Sequence, residues 1–122
     1  MFLNLSNHPS ANWSQEQTEA AMRLYGEIVD LPFPAVAPDG DEDYIAALAD
    51  EYCSKVLEYA KTQTVTVHLM GEMTLTFALL KRLQAHGIPC VASTTRRQIL
   101  ELPDGRKESL FKFVKFRNYQ PL

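Results

Sequence analysis

The sequence predicts an α/β fold in which a mainly parallel sheet carries helices on both faces and finishes in a C-terminal antiparallel β-hairpin. Three observations lead there. Short β-branched runs alternate with stretches of helical periodicity; Gly, Pro and capping residues punctuate the junctions; and two strand-like runs flank an Asp-Gly turn near the C-terminal end. Strands that alternate with helices imply βαβ units with right-handed crossovers.

The first element, "MFLNLS", is apolar and strand-like, and "NHPSANW" breaks it with Asn, Pro and Ser. The helix "SQEQTEAAMRLYG" follows. Ser14 and Gln17 have capping-box spacing, Glu16 puts acid in the first turn, and Gly26 stands where the helix stops. This helix is expected to pack through Ala20, Ala21, Leu24 and Met22. "EIVDLPFP" is a second short apolar run, ended by Pro32 and Pro34 and followed by the turn-rich "AVAPDGD". From about Asp43, Ile45, Leu48, Ala49, Tyr52, Val56, Leu57 and Ala60 recur at spacings of three and four, predicting a second helix.

"TVTVHLM" alternates Val65, Val67 and Leu69 against Thr66, His68 and Met70, as a strand does. The third helix, "TLTFALLKRLQAHG", is expected to bury Leu75, Ala78, Leu79 and Leu83 and to stop at Gly87. "IPCVASTT" is read as a fourth strand, and "RQILELPDGRKESLFKFVKF" as a separate two-stranded hairpin turning at Pro103-Asp104-Gly105.

A chain of 122 residues with 46% hydrophobic composition fits one domain, 1–122, with a core of its own. No run reaches the about 18 apolar residues of a membrane span, and "MFLNLSNHPS" lacks the pattern of a secretory signal, so a cytoplasmic protein is expected. Cys53 and Cys90 lie far apart, with no CxxC and no companion histidines at ligand spacing. They are read as buried thiols, with no metal site and no cofactor.

The net charge of −3 argues against a surface for duplex nucleic acid. Its distribution is uneven. Residues 1–80 carry 12 acids and 3 bases, whereas residues 81–122 carry 9 bases and 3 acids. The basic end suits a small anion or an acidic partner, or it simply coats solvated strands.

In open sheets, ligands sit beyond the carboxyl ends of the strands, where strand order reverses. Three segments are expected there: Ser6, Asn7 and His8; then Gly71, Glu72, Met73 and Thr74; then Ser93, Thr94, Thr95, Arg96 and Arg97. Gly71 lets backbone approach a phosphate at the start of the third helix, or makes a tight turn while Glu72 or Thr74 caps that helix. His8 is a proton donor or a loop histidine bonded to backbone. His68 and His86 are explained by core packing and by the helix dipole. Trp13 stacks on a base or staples the start of the first helix. Arg96 and Arg97 behind a Ser-Thr-Thr run form the most specific constellation, since guanidinium forks bind phosphate oxygens bidentately, or they are an ordinary strand edge with exposed polar residues. Neither GxGxxG nor a P-loop is present.

"FLNLSNHP" before a helix, "TVHLMGEMTLTFALLKRL" and "CVASTTRR" together resemble small CRISPR-associated Rossmann-like proteins related to CARF domains, which include single-domain ring nucleases. The similarity spans roughly residues 1–97. The resemblance implies a Rossmann-like three-layer sandwich and a homodimer that binds cyclic oligoadenylate across a two-fold groove. In ring nucleases it implies metal-independent cleavage, in which a ribose 2′-hydroxyl attacks its own phosphate. On that reading Arg96 and Arg97 stabilise the phosphorane. Ser93, Thr94, Thr95 and the Gly71 backbone position phosphates, with Met73 and Thr74 on the same wall. His8 protonates the departing 5′-oxygen, Glu72 accepts the 2′-hydroxyl proton or holds a ribose hydroxyl, and Ser6 and Asn7 meet sugar or adenine edges. Two alternatives stand beside it: a non-catalytic sensor or sponge, and an adaptor using Phe111, Phe113 and Phe116 of the hairpin.

Overall fold

The computed structural model describes residues 1–122. The elements run β1 (Phe2–Ser6), a 3₁₀ turn (Ser10–Asn12), α1 (Gln15–Tyr25), β2 (Ile28–Asp30), α2 (Glu42–Ala60), β3 (Thr66–Met70), α3 (Met73–Ala85), β4 (Cys90–Glu101) and β5 (Lys107–Asn118). The architecture is mixed α/β: three α-helices and a five-stranded sheet ordered β2-β1-β3-β4-β5, parallel except for the β4–β5 pair.

β1 is the most enclosed strand, with every residue buried. Strand alternation divides it between two faces. Leu3 and Leu5 join Val67 and Leu69 of β3 under α2 and α3, which contribute Ala49, Cys53, Val56, Leu75, Leu79, Leu80 and Leu83. Phe2 faces the other way, into a smaller cluster with Ala20 and Ala21 of α1, Val91 of β4 and Phe116 of β5. Truncating a fully buried leucine such as Leu69 or Leu79 to alanine costs about 2–5 kcal/mol. Cys53 and Cys90 are buried free thiols of the larger cluster. Burial pushes the Cys90 thiol up to about 12, with Cys53 adding to the shift, so it stays protonated. No helix is long and apolar enough to cross a membrane.

Helix ends follow their local chemistry. Ser14 accepts from the Gln17 amide at 3.2 Å and Asp41 from the Tyr44 amide at 2.9 Å, while Gly26 (φ 94°) and Gly87 (φ 72°) take the positive φ at which α1 and α3 stop. Trp13, just before α1, packs on the cluster of Phe2, Ala20, Ala21, Val91 and Phe116.

Three expectations need correction. α1 meets the sheet through its small alanines, and Met22 and Leu24 face solvent at 58% and 55% exposure, because a close helix approach leaves no room for larger side chains on that face. On α3, Leu80 is buried while Ala78 is only half-buried. The third concerns the end of the chain: the fourth strand and the first hairpin strand are one continuous β4, paired with β5 along its length from Val91 to Glu101. No Gly, Pro or Asn interrupts residues 93–101, so nothing ends the strand.

β4 pairs with β3 only at Cys90 and Val91, and β3 stops at Met70. Residues 94–101 and their β5 partners therefore leave the sheet as a two-stranded ribbon, about 25 Å long at ~3.3 Å per residue. A β-bulge at the Thr94/Thr95 step leaves Val114 unpaired on β5. Strict alternation would set Phe116 on the face opposite Phe113 and Phe111. The extra residue brings Phe116 opposite Ser93, Phe113 opposite Thr95 and Phe111 opposite Arg97, so three aromatics share one face.

Candidate functional site

The bulged ribbon, the loop after β1 and the end of β3 enclose a cavity of about 630 Å³, within the ~300–1,000 Å³ usual for ligand sites. It lies at the carboxyl edge of β1 and β3, where chain order reverses across the sheet. His8 and Trp13 form one wall, His68 and Met70 the floor, and Ser93, Thr95, Phe111, Lys112 and Phe113 the ribbon side.

A polar row lies beneath the floor. Asp30, Asn4 and His68 are register partners across β2, β1 and β3, so they share one face. Asn4 and His68 are each 1% exposed, and Ser6 is buried beside them. Asn4 Nδ2 donates to Asp30 Oδ1 and to the His8 carbonyl, each at 2.9 Å. Asn4 Oδ1 accepts from Ser6 Oγ at 2.7 Å and meets His68 Nδ1 at 2.8 Å. His68 Nε2 lies 3.2 Å from Ser93 Oγ. Burial, assisted by the nearby His8, lowers the His68 pKa to about 4, so the imidazole is neutral at neutral pH. The ring is held edge-on by Trp13 at 5.3 Å and Phe116 at 5.7 Å.

The loop after β1 hangs on this row. The His8 carbonyl accepts from Trp13 Nε1 at 3.1 Å as well as from Asn4, and Asp30 holds Ser10 through its amide and hydroxyl. Those bonds leave the His8 side chain exposed on the cavity wall.

Of the residues singled out from sequence, His8, Trp13, Ser93 and Thr95 line this cavity together. Ser6 and Asn7 instead border a hollow of about 210 Å³ toward β2. Gly71 and Met73 border an apolar groove over α3, with Met73 83% exposed. Gly71 is small for a packing reason: a Cβ there would run into the ring of Phe33. Glu72 caps α3, its carboxylate accepting from the amides of Thr74 (3.0 Å) and Leu75 (2.9 Å) and from the Thr74 hydroxyl (2.7 Å). Those two amides, followed by the hydroxyl, hold its pKa below the ordinary carboxylate value. Thr94 is occupied at the bulge, its hydroxyl donating to the Lys115 carbonyl and accepting the Lys115 amide. Arg96 and Arg97 do not form one cradle. Successive strand residues point to opposite faces, and Arg97, opposite Phe111, donates to Ser109 at 3.0 Å and 3.2 Å.

Sequence reading missed Asn4 and Asp30 and took His68 for a packing residue. The signal was slight: one polar residue within each of two apolar strands, "FLNLS" and "TVHLM". No group of three or more His, Cys, Asp or Glu side chains is placed to hold a metal ion.

A family model described as the uncharacterized protein MJ1673 family matches residues 1–117. No curated protein and no solved structure matches the chain.

Proposed function

The chain belongs to the uncharacterized protein MJ1673 family, and for this member we propose a Rossmann-like cyclic oligoadenylate nuclease that works without metal and switches off type III CRISPR signalling in the cytoplasm. Helix-lined apolar clusters on both faces of the sheet support the three-layer reading of the fold. One observation carries the functional reading: at the strand-order reversal, a single cavity gathers an imidazole (His8), two hydroxyls (Ser93, Thr95) and aromatic rings (Trp13, Phe113). That is the set of groups a nucleotide phosphodiester requires.

In this reading the protein holds the ribose 2′-hydroxyl in line with its phosphate and neutralises the charge that develops. Thr95 contacts the phosphate. His8 protonates the departing 5′-oxygen. Arg97, on the cavity face of the ribbon, adds positive potential farther out. Adenine rings stack against the aromatic wall. The ring spans two copies in a homodimer, as the resemblance implies, and the products carry 2′,3′-cyclic phosphate ends.

A second reading has its own observation. Ile99, Leu100, Leu110, Phe111 and Val114 leave an apolar surface on the ribbon, Phe111 being 67% exposed, which suits an adaptor that docks a partner. Incubation with cyclic tetra- and hexa-adenylate, with and without EDTA, separates the readings. Linear product in both conditions supports the nuclease. Tight binding without turnover identifies a sensor, and absence of binding overturns both ligand readings and leaves the adaptor.

A further inference from the structure

The hydrogen-bond row under the cavity fixes where every proton lies. The two N–H bonds of Asn4 point at two oxygens, the His8 carbonyl and Asp30 Oδ1. The flipped amide would place its carbonyl against both, so Asn4 Oδ1 must face Ser6 and His68 and accept from each. His68 Nδ1 therefore carries a proton. Because the buried ring is neutral, Nε2 bears a lone pair. Ser93 Oγ, at 3.2 Å from Nε2, has one proton to give. Its only other acceptor is the Met70 thioether, also at 3.2 Å and intrinsically weak, so the proton goes to the nitrogen. The remaining lone pairs of Ser93 Oγ are left for the cavity it lines.

We infer that Ser93 is the catalytic proton acceptor of the site, backed by His68, with Asn4 and Asp30 as positioning residues. The arrangement has the logic of a nucleophile–histidine–orienter triad, here applied to a substrate hydroxyl. The inference rests on the nuclease reading and fills a role that Glu72 cannot, since its carboxylate is committed to the start of α3. In the step, the 2′-O–H bond breaks as the 2′-O–P bond forms. The 2′ proton passes to Ser93 Oγ while the Ser93 proton passes to His68 Nε2. The P–O5′ bond breaks, and the 5′-oxygen takes a proton from His8. His68 ends protonated and His8 deprotonated, and exchange with water restores both.

The test has two independent arms. Long-range ¹H–¹⁵N spectra of the imidazole in the labelled protein are expected to show His68 as the Nδ1–H tautomer; an Nε2–H tautomer overturns the relay. The kinetic arm uses cyclic tetra- and hexa-adenylate. Ser93→Ala is expected to lower kcat about 100-fold or more with KM within about twofold, whereas Ser93→Thr keeps much of the rate. An unchanged kcat in Ser93→Ala, or a loss confined to KM, overturns the inference while leaving the nuclease reading intact. Absence of cleavage by the wild-type protein overturns the reading itself, and the inference with it.

Discussion

Asn4 Oδ1 and His68 Nδ1 meet at 2.8 Å between adjacent parallel strands, both side chains shut away from solvent. A buried amide–imidazole pair in the middle of a sheet is costly unless every polar atom is satisfied, and here each one is. The loop after β1 takes its shape from the same pair, because Asn4 also holds the His8 carbonyl. Stability and the form of the cavity wall therefore depend on one side chain.

Replacing Asn4 by alanine strips His68 Nδ1, Ser6 Oγ and the His8 carbonyl of a partner. The expected loss is about 1–3 kcal/mol, since His68 Nδ1–H is left buried and unsatisfied while Ser6 Oγ and the His8 carbonyl keep other partners. Urea unfolding should show a lower midpoint at unchanged slope. A variant as stable as the wild type would mean the row does not form as described.

His68 makes stability depend on pH. Its folded-state value lies near 4, below the ordinary 6.5, so the unfolded chain binds the proton more readily. The contribution is complete above about pH 6.5 and is lost as pH falls through about 4. Its size is about 3 kcal/mol. Unfolding free energies measured from pH 7 to pH 4 should fall along this course in the wild type, and His68→Gln should lack that segment of the slope.

Glu72 separates structure from turnover. As the N-cap of α3, its replacement by alanine should cost about 1 kcal/mol and lower the melting temperature by a few degrees. Cyclic oligoadenylate turnover at a temperature where both proteins are folded should stay within about twofold. A collapse of kcat at intact stability would return Glu72 to the chemistry.

The two neighbouring arginines should behave differently. Arg97 shares the ribbon face of Ser93 and Thr95, and Arg96 faces away. Arg97→Ala is expected to weaken binding of a fluorescent cyclic oligoadenylate by more than tenfold at low salt, and Arg96→Ala by less than about twofold. Equal effects from both would show that the ribbon twists far enough to present both guanidiniums to the ligand.

Gly71→Ala brings a methyl group into the Phe33 ring. Overpacking of this kind costs about 1–3 kcal/mol. Thermal melts of the single variants and the double variant with Phe33→Leu should reveal a compensating coupling between the positions; strict additivity would show that the ring simply swings aside.

The α/β class, the helix over residues 42–60 with its apolar positions, and the stops at Gly26 and Gly87 were legible in the sequence because each rests on local causes. Periodicity selects a helix face, a capping side chain reaches an amide three residues on, and glycine alone takes a positive φ without cost. The strands on either side of the Ser-Thr-Thr-Arg-Arg run were legible, but not their continuity as one strand. That continuity depends on β5, whose residues 107–118 pair with the strand across the turn.

The site was less legible, because its members are brought together by register. Asp30, Asn4 and His68 lie 26 and 64 residues apart and become neighbours only when β2, β1 and β3 align. Ser93 reaches His68 because β4 continues past its pairing with β3, and Phe116 joins Phe113 because one unpaired residue shifts the face of β5. The sequence by itself determined which segments are strands and helices and where most of them end, since those choices cost or gain free energy within a few residues. Tertiary structure alone decided which polar side chains share a face and which protons they hold, because a hydrogen bond between strands exists only after distant chain segments have been placed in register.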